Sequence, residues 1–364
     1  MRARRAIAVL VAMLPVLACA QTQEPAAPPH ILEGPDTPVT DGAKAGPHAW
    51  RVQPIAMPEP VTRIYTDGTL AILGAVRIEG ASGAWYAVTD CAAGLCATLF
   101  DAPHATQTLP ADALPGSHVA FGDGRISRAW YADPVQRLGA SAIGPWVAGA
   151  LVIEDRTTRA FRLELGLDQA FEDMRPRIAD FDSDGQTVVL AVRSDAGRGA
   201  ALIAASLVGE GLVRILAETA PVGHPGGWIN PIGIADVTGG GRRSIAVVFS
   251  PDDHGQLQIF DYAQHTFTRR FSVPGVCNHL RGQPEQDMAV IADFDGDQIA
   301  DVALPDSART AIRILSFAGG KVGEPADIPL PSPAATAIAG IRPEPGQRPM
   351  LLLGLEDGQL VLLH

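Results

Sequence analysis

Short apolar runs recur along most of this chain, separated by clusters of Gly, Pro, Asp and Asn. Between 186 and 220 the runs are VVLAV (188–192), ALIAASLV (201–208) and LVRILAE (212–218). Beyond 300 they are DVALP (301–305), AIRILSF (311–317) and KVGEPADIPL (321–330). Alternating or wholly apolar runs of this length, bounded by turn residues, predict β-strands. No heptad pattern occurs, and past the N-terminus no apolar run is long enough to span a bilayer. The 38 Gly and 30 Pro are spread through a chain that is 47% hydrophobic, which suits many short strands better than long helices.

The runs are organised by a repeat. Residues 180–185 (DFDSDG) and 293–298 (DFDGDQ) are acidic loops, each entered through an Ile-Ala pair that opens at Ile178 or Ile291. A weaker copy, IADVTGGG at 234–241, lies midway: Asp180 to Asp236 is 56 residues and Asp236 to Asp293 is 57. Fainter copies occupy 64–68, 119–124 and 338–341. Each copy is followed by two or three apolar runs, and four short strands per unit make the blade of a β-propeller. The last unit has only three candidate strands (335–341, 350–355 and 359–364), whereas the run at 48–55 has no partner of its own. Pairing that run as the outer strand of the last unit removes two exposed sheet edges. The expectation is an all-β fold, a β-propeller of six blades of four antiparallel strands closed by an N-terminal strand. A seventh blade remains open if the irregular stretch 125–170 hides one.

The N-terminus carries different information. Arg2, Arg4 and Arg5 followed by the apolar Ala6–Leu17 read as an export signal over 1–20. Val16-Leu-Ala-Cys19 resembles a bacterial lipobox with Cys19 as the lipidated residue, and Ala18-Cys-Ala20 also fits ordinary cleavage. Residues 21–47, rich in Pro, Ala and Gly, predict a flexible tether before a folded domain at 48–364. The expected location is the bacterial cell envelope, as an outer-membrane lipoprotein facing the periplasm or exterior; a soluble periplasmic or secreted protein is the alternative. Formal charge is −12 with no basic cluster, which argues against nucleic acid as a partner. A lipid anchor would be the chain's contact with membrane, and a monomer is expected. In such an oxidising compartment Cys91 and Cys96, flanking a short turn, predict a hairpin disulfide. Cys277 is left over as a buried or free thiol.

The acidic loops carry the clearest chemistry. Carboxylates at alternate positions of a tight loop place several hard oxygens around one point, as calcium requires. The flanking runs are strand-like and no Glu stands at position 12, so these are not EF-hands. At these loops the chain resembles the FG-GAP/VCBS repeat family, which includes the integrin α-chain propellers, over about 48–364. The resemblance implies oxygen ligands at loop positions 1, 3, 5 and 9 and a carbonyl at 7. In the second loop these are Asp293, Asp295, Asp297 and Asp301 with the Ile299 carbonyl, although Gln298 stands where Gly is usual. The first loop keeps Asp180, Asp182, Asp184 and the Gln186 carbonyl but has Val188 at position 9. One or two structural calcium ions are therefore expected. The copy at Asp236 has lost the later acids and should be metal-free.

Hydrolase, zinc-protease and phosphate-loop motifs are missing, and the nine histidines are scattered, so no catalytic residue is assigned. By the family's geometry, the long connections before the inner strands form the face that meets ligands. Trp228, Asn230, His279, Arg281 and Glu172 sit in these connections as a candidate ligand face, with Trp228 as an anchor. The plainer alternative is that Trp228 packs between blades. The expected function is a non-enzymatic, calcium-stabilised module that binds an unknown protein or glycan or serves as a scaffold. The rival is a hydrolase or lyase of envelope polysaccharide with its site at the channel mouth.

Overall fold

The computed structural model describes residues 49–364, apart from 93, 102–106, 140, 182–184, 210 and 343–346, together with a two-residue strand at 32–33. The export signal, Cys19 and nearly all of the tether lie outside the described residues. Among those described the chain is nearly all-β, with only single 3-10 turns at Leu73–Ala75 and Ala318–Gly320.

The strands form antiparallel meanders in chain order. Strand β1 (Leu32–Glu33) lies in the segment expected to be a tether, and β2 (Val52–Ile55) opens the folded part. The first meander is β3 (Val61–Tyr65), β4 (Arg77–Gly80), β5 (Trp85–Cys91) and β6 (Gly94–Leu99). Next come β7 (Ala120–Phe121), β8 (Ile126–Val135), β9 (Val147–Asp155) and β10 (Ala160–Glu164). A short strand, β11 (Gln169–Phe171), bridges β9 to the following meander and fuses the two into one nine-stranded sheet. That meander is β12 (Arg177–Ala179), β13 (Val188–Asp195), β14 (Gly199–Val208) and β15 (Leu212–Glu218).

Strands β16 (Ile229–Ala235), β17 (Ser244–Phe249), β18 (Gln256–Ala263) and β19 (Thr266–Pro274) follow, and β1 adds to the β19 edge in parallel. Then come β20 (Val290–Ala292), β21 (Asp301–Pro305), β22 (Ala311–Ser316) and β23 (Gly323–Pro329). The final sheet is β24 (Ala334–Ile341), β25 (Met350–Leu355) and β26 (Leu360–Leu363), with β2 paired antiparallel to β26 from Val52 opposite Leu363 to Ile55 opposite Leu360. The partner expected for the orphan N-terminal run is thus present.

Burial follows position within each meander. Strand β9 (VAGALVIED) is buried at every residue, whereas its outer neighbour β10 (AFRLE) has no buried residue and alternates exposed with half-buried positions. A strand covered on both faces needs a continuous apolar run; an edge strand needs only one apolar face. The first strands of successive meanders pack on one another: β3 on β24, β24 on β20, β20 on β16, and β12 on β7. The approach is close. A Cβ at Gly340 would lie 2.6 Å from Leu70 Cδ2 and 2.8 Å from Val290 Cγ1, so only glycine fits there without displacement. Large buried side chains fill the space between meanders, Tyr131, Phe171 and Trp228 in one cluster and Phe294 in another.

Candidate metal centre and ligand cavity

The acidic loops share one backbone device. The residue at position 6 donates its N–H to the Oδ2 of the Asp at position 1: Gly185 to Asp180 at 2.9 Å, Gly241 to Asp236 at 2.6 Å, Gln298 to Asp293 at 2.9 Å. All three donors have positive φ, 82°, 77° and 69°. The repeat seen in the sequence is therefore a repeat of loop geometry. It persists at Asp236, whose other oxygen accepts from Thr238 and Gly239, and where Ser244 binds Asp261 instead of closing the loop.

In the loop between β20 and β21, Asp293, Asp295 and Asp297 each present a carboxylate oxygen, all within 4.8 Å of one another. Asp301 stands below them, fully buried. Its Oδ2 accepts from the Phe294 N–H at 2.9 Å, its Oδ1 is buried with no close partner among the described residues, and the nearby Ser316 hydroxyl favours its charged form. Burial pushes the Asp301 carboxyl up to about 7, with the charges of Asp295 and Asp297 adding to the shift. Burial also raises Asp295, reinforced by its acidic neighbours. Three crowded carboxylates on one loop suit a hard divalent cation with oxygen ligands. In the first loop Asp180 likewise has a buried Oδ1 without a partner among the described residues, and position 9 is the buried Val188. Asp182 and Asp184 lie outside the described residues.

The expected ligand face needs correction. Trp228, Asn230, His279 and Glu172 do converge, but as interior groups exposed by 1%, 0%, 1% and 6%. Trp228 Nε1 donates to the Glu172 carbonyl at 2.8 Å, and its ring lies 4.5 Å from that of His279. The Glu172 carboxylate accepts from the Ala142 N–H at 2.6 Å and the Ser194 hydroxyl at 2.6 Å. Only Arg281 is exposed, and it is held by the Gly226 carbonyl and Asp252. Trp228 is thus a buried packing residue with its indole N–H satisfied, rather than an open anchor.

An open cavity of about 900 Å³ lies elsewhere, lined by four stretches distant in sequence: 63–76, 107–118, 174–177 and 284–287. Arg175 ties two of them together, reaching Asp287 at 3.1 Å and the Asp67 carbonyl at 2.9 Å. Arg63, also in the lining, bonds the Tyr65 hydroxyl at 3.1 Å, which donates to Glu79 at 2.8 Å. Burial and the neighbouring Asp287 push Glu285 up to about 7, against the opposing pull of Arg63 and Arg175. Sequence inspection missed Arg63, Glu285, Gln286 and Asp287. No spacing links residues more than 200 positions apart, and the one local sign is a polar PEQD segment (284–287) just before the apolar β20.

Cys91 and Cys96 are free thiols whose side chains are in hydrogen-bond contact. The β5–β6 register sets Cys91 opposite Gly94 and Cys96 opposite Thr89, a diagonal pair, so the disulfide expected there is not formed in this structure. Cys277 is buried, bonds the His279 carbonyl at 3.3 Å, and is raised by burial.

No protein-family model matches the chain, and no curated protein sequence matches it. Among solved structures it is similar to the rhamnogalacturonan lyase YesW, at 12% identity and a TM-score of 0.42, covering 85% of this chain and 67% of that one. It is also similar to the WD40 domain of coronin from Toxoplasma gondii, at 9% identity and a TM-score of 0.39, covering 90% and 87%. A third likeness, to the exotype rhamnogalacturonan lyase YesX, has 11% identity and a TM-score of 0.36, covering 83% of this chain and 57% of that one. At these values the likeness reaches no further than the all-β fold.

Proposed function

We propose that this chain is an exported, calcium-stabilised β-propeller of six blades, similar to FG-GAP/VCBS proteins, that binds a protein or glycan ligand in the bacterial cell envelope without catalysis. The blades are the four-stranded meanders, the last completed by β2 against β26. Calcium would be held by Asp293, Asp295, Asp297 and Asp301, where it would neutralise the crowded carboxylates and fix the loop. Lipidation at Cys19 would tether the domain to the outer membrane. No helix among the described residues is long and apolar enough to cross a membrane.

The observation that carries the binding reading is the cavity of about 900 Å³, lined by four distant stretches with polar side chains on its walls. Affinity capture from the native envelope, with calcium and with chelator, tests it. Recovery of one partner by the wild-type protein, lost with Arg175→Ala, is expected. Capture that is indifferent to cavity substitutions would overturn the assignment of the cavity.

One observation favours a second reading. Glu285 is raised to about 7 beside Asp287, and an acid that titrates near neutrality in a cavity can exchange protons with a substrate. Under this reading the protein is a hydrolase or lyase of envelope polysaccharide. Release of new chain ends from isolated envelope polysaccharide, abolished in Glu285→Gln, would establish it; no release would leave the non-enzymatic reading.

A further inference from the structure

A second, smaller cavity of about 480 Å³ opens between two neighbouring meanders and shares no lining residue with the larger one. One side is the segment 219–222, which follows β15; the other is a face of β18, with Gln256, Gln258 and Phe260 at alternate positions. That face looks toward β15, since Phe260 packs in one cluster with Val213 and Ala217. The opposite face is used elsewhere: Leu257 and Ile259 pack with Phe271 and Phe317. The lining groups converge. Phe249 is registered opposite Gln256, and its ring lies 5.9 Å from that of Phe260, while Gln258 stands between Gln256 and Phe260 along the strand.

Gln258 is the unusual member. It is only 7% exposed, yet its side-chain amide has no hydrogen-bond partner among the described residues. Unlike the Nε2 of Gln286, its amide atoms are not closed off from solvent, and the residue opens on the cavity. A polar group largely withdrawn from water and left unpaired costs free energy, so an occupant that pairs it is favoured. The amide offers an acceptor oxygen and two N–H donors. Beside it Gln256 is exposed; its Oε1 takes the Ser272 hydroxyl at 3.4 Å, which leaves its NH₂ for a ligand. The half-buried Phe249 ring adds apolar surface.

Charge plays little part at this floor. Asp253 and His254 line the cavity with side chains 79% and 96% exposed, and Arg269 is already engaged. An anion would enter without a free cation at the floor to meet it, and a purely apolar ligand would leave the Gln258 amide unpaired. A neutral sugar suits both sides, because its hydroxyls donate and accept while the C–H face of its ring covers an aromatic one. The volume lies within the range of about 300–1,000 Å³ usual for small-molecule sites.

We propose that this cavity is a second ligand site, which takes a neutral sugar residue through the amides of Gln258 and Gln256 and the ring of Phe249. It is separate from the larger cavity, so the failure of either assignment leaves the other untouched.

Titration calorimetry of the intact protein in calcium, with glucose, galactose and their two uronates as probes, tests it. One of the neutral sugars should bind in the millimolar range or tighter, and its uronate at least about tenfold more weakly. Gln258→Leu should weaken that sugar by about tenfold or more while melting no lower than wild type, because leucine replaces an unpaired amide with a side chain of similar size. Gln256→Ala, at an exposed position, should weaken it by about threefold or more and serves if the leucine variant fails to fold. No heat from either neutral sugar at millimolar concentration would overturn the assignment, as would binding unchanged in the folded variants. A uronate that binds as tightly as its neutral sugar would overturn the neutral chemistry and the proposal with it.

Discussion

The backbone N–H of Gln298 donates to Asp293 Oδ2 at 2.9 Å while Gln298 sits at φ 69°. Gly185 and Gly241 make the same bond from the same region at φ 82° and 77°. The loop between β20 and β21 thus keeps the repeat's shape with a residue that strains to adopt it. Gln298→Gly should relieve that strain, although a more flexible unfolded chain offsets part of the gain, for a net change of about 0–1 kcal/mol in its favour. Gln298→Val, β-branched at a positive φ, should be less stable than the glycine variant by about 1–2 kcal/mol. Denaturant titration of both variants checks this, and a valine variant as stable as wild type would contradict it.

Calcium should raise the melting temperature, since a ligand at a hundredfold its dissociation constant stabilises by about 2.7 kcal/mol. Asp295→Asn or Asp301→Asn should remove that response. In chelator, Asp301→Asn should be at least as stable as wild type, because it deletes a buried carboxylate with an unpartnered Oδ1. Asp180→Asn should leave most of the response in place, since the first loop has Val188 where the second has Asp301. Calorimetry of chelated protein against calcium measures each case; an absence of heat in the wild type would end the metal proposal.

Legibility in the sequence followed distance along the chain. Loops such as 180–185 and 293–298 are local, and their shared geometry could be read from alternating aspartates and a fixed spacing. The strand pairing β2–β26 was also legible, because an orphan run at one end matched a missing strand at the other. The parallel addition of β1 to β19 was not, since two residues within a Pro/Ala/Gly-rich segment carry no strand pattern. Trp228 and Glu172, expected on an open ligand face, are instead buried together, the indole N–H donating to a carbonyl 56 positions away that no local pattern announces. The cavity was invisible because its walls meet only in three dimensions: Arg175 joins Asp67 to Asp287 without any sequence relation among them.

Trp228 separates a packing role from an anchoring one. Trp228→Phe keeps an aromatic ring near His279 but strands the Glu172 carbonyl, at a cost of about 1–3 kcal/mol. Trp228→Ala should cost about 3–5 kcal/mol by opening a void among Phe171, Ile229 and their neighbours. Urea unfolding reports the loss. An alanine variant with wild-type stability but failed partner capture would reinstate Trp228 as a surface anchor.

Glu285 predicts the pH response of the cavity. Its folded value of about 7 lies above the ordinary 4.5, so its neutral form is the one the fold prefers. The associated stability is fully present below 4.5 and is lost as pH rises through about 7, where the carboxylate must form beside Asp287. A tenfold change in proton affinity is worth about 1.4 kcal/mol, which puts the loss on the order of 1–3 kcal/mol across that window. Arg63 and Arg175 limit it, and removing either should enlarge it. Glu285→Gln should flatten the stability profile between 4.5 and 7, because a neutral amide needs no proton there. Denaturation midpoints measured across the window test the effect. A glutamine variant whose stability follows the wild-type pH curve would show that another group titrates.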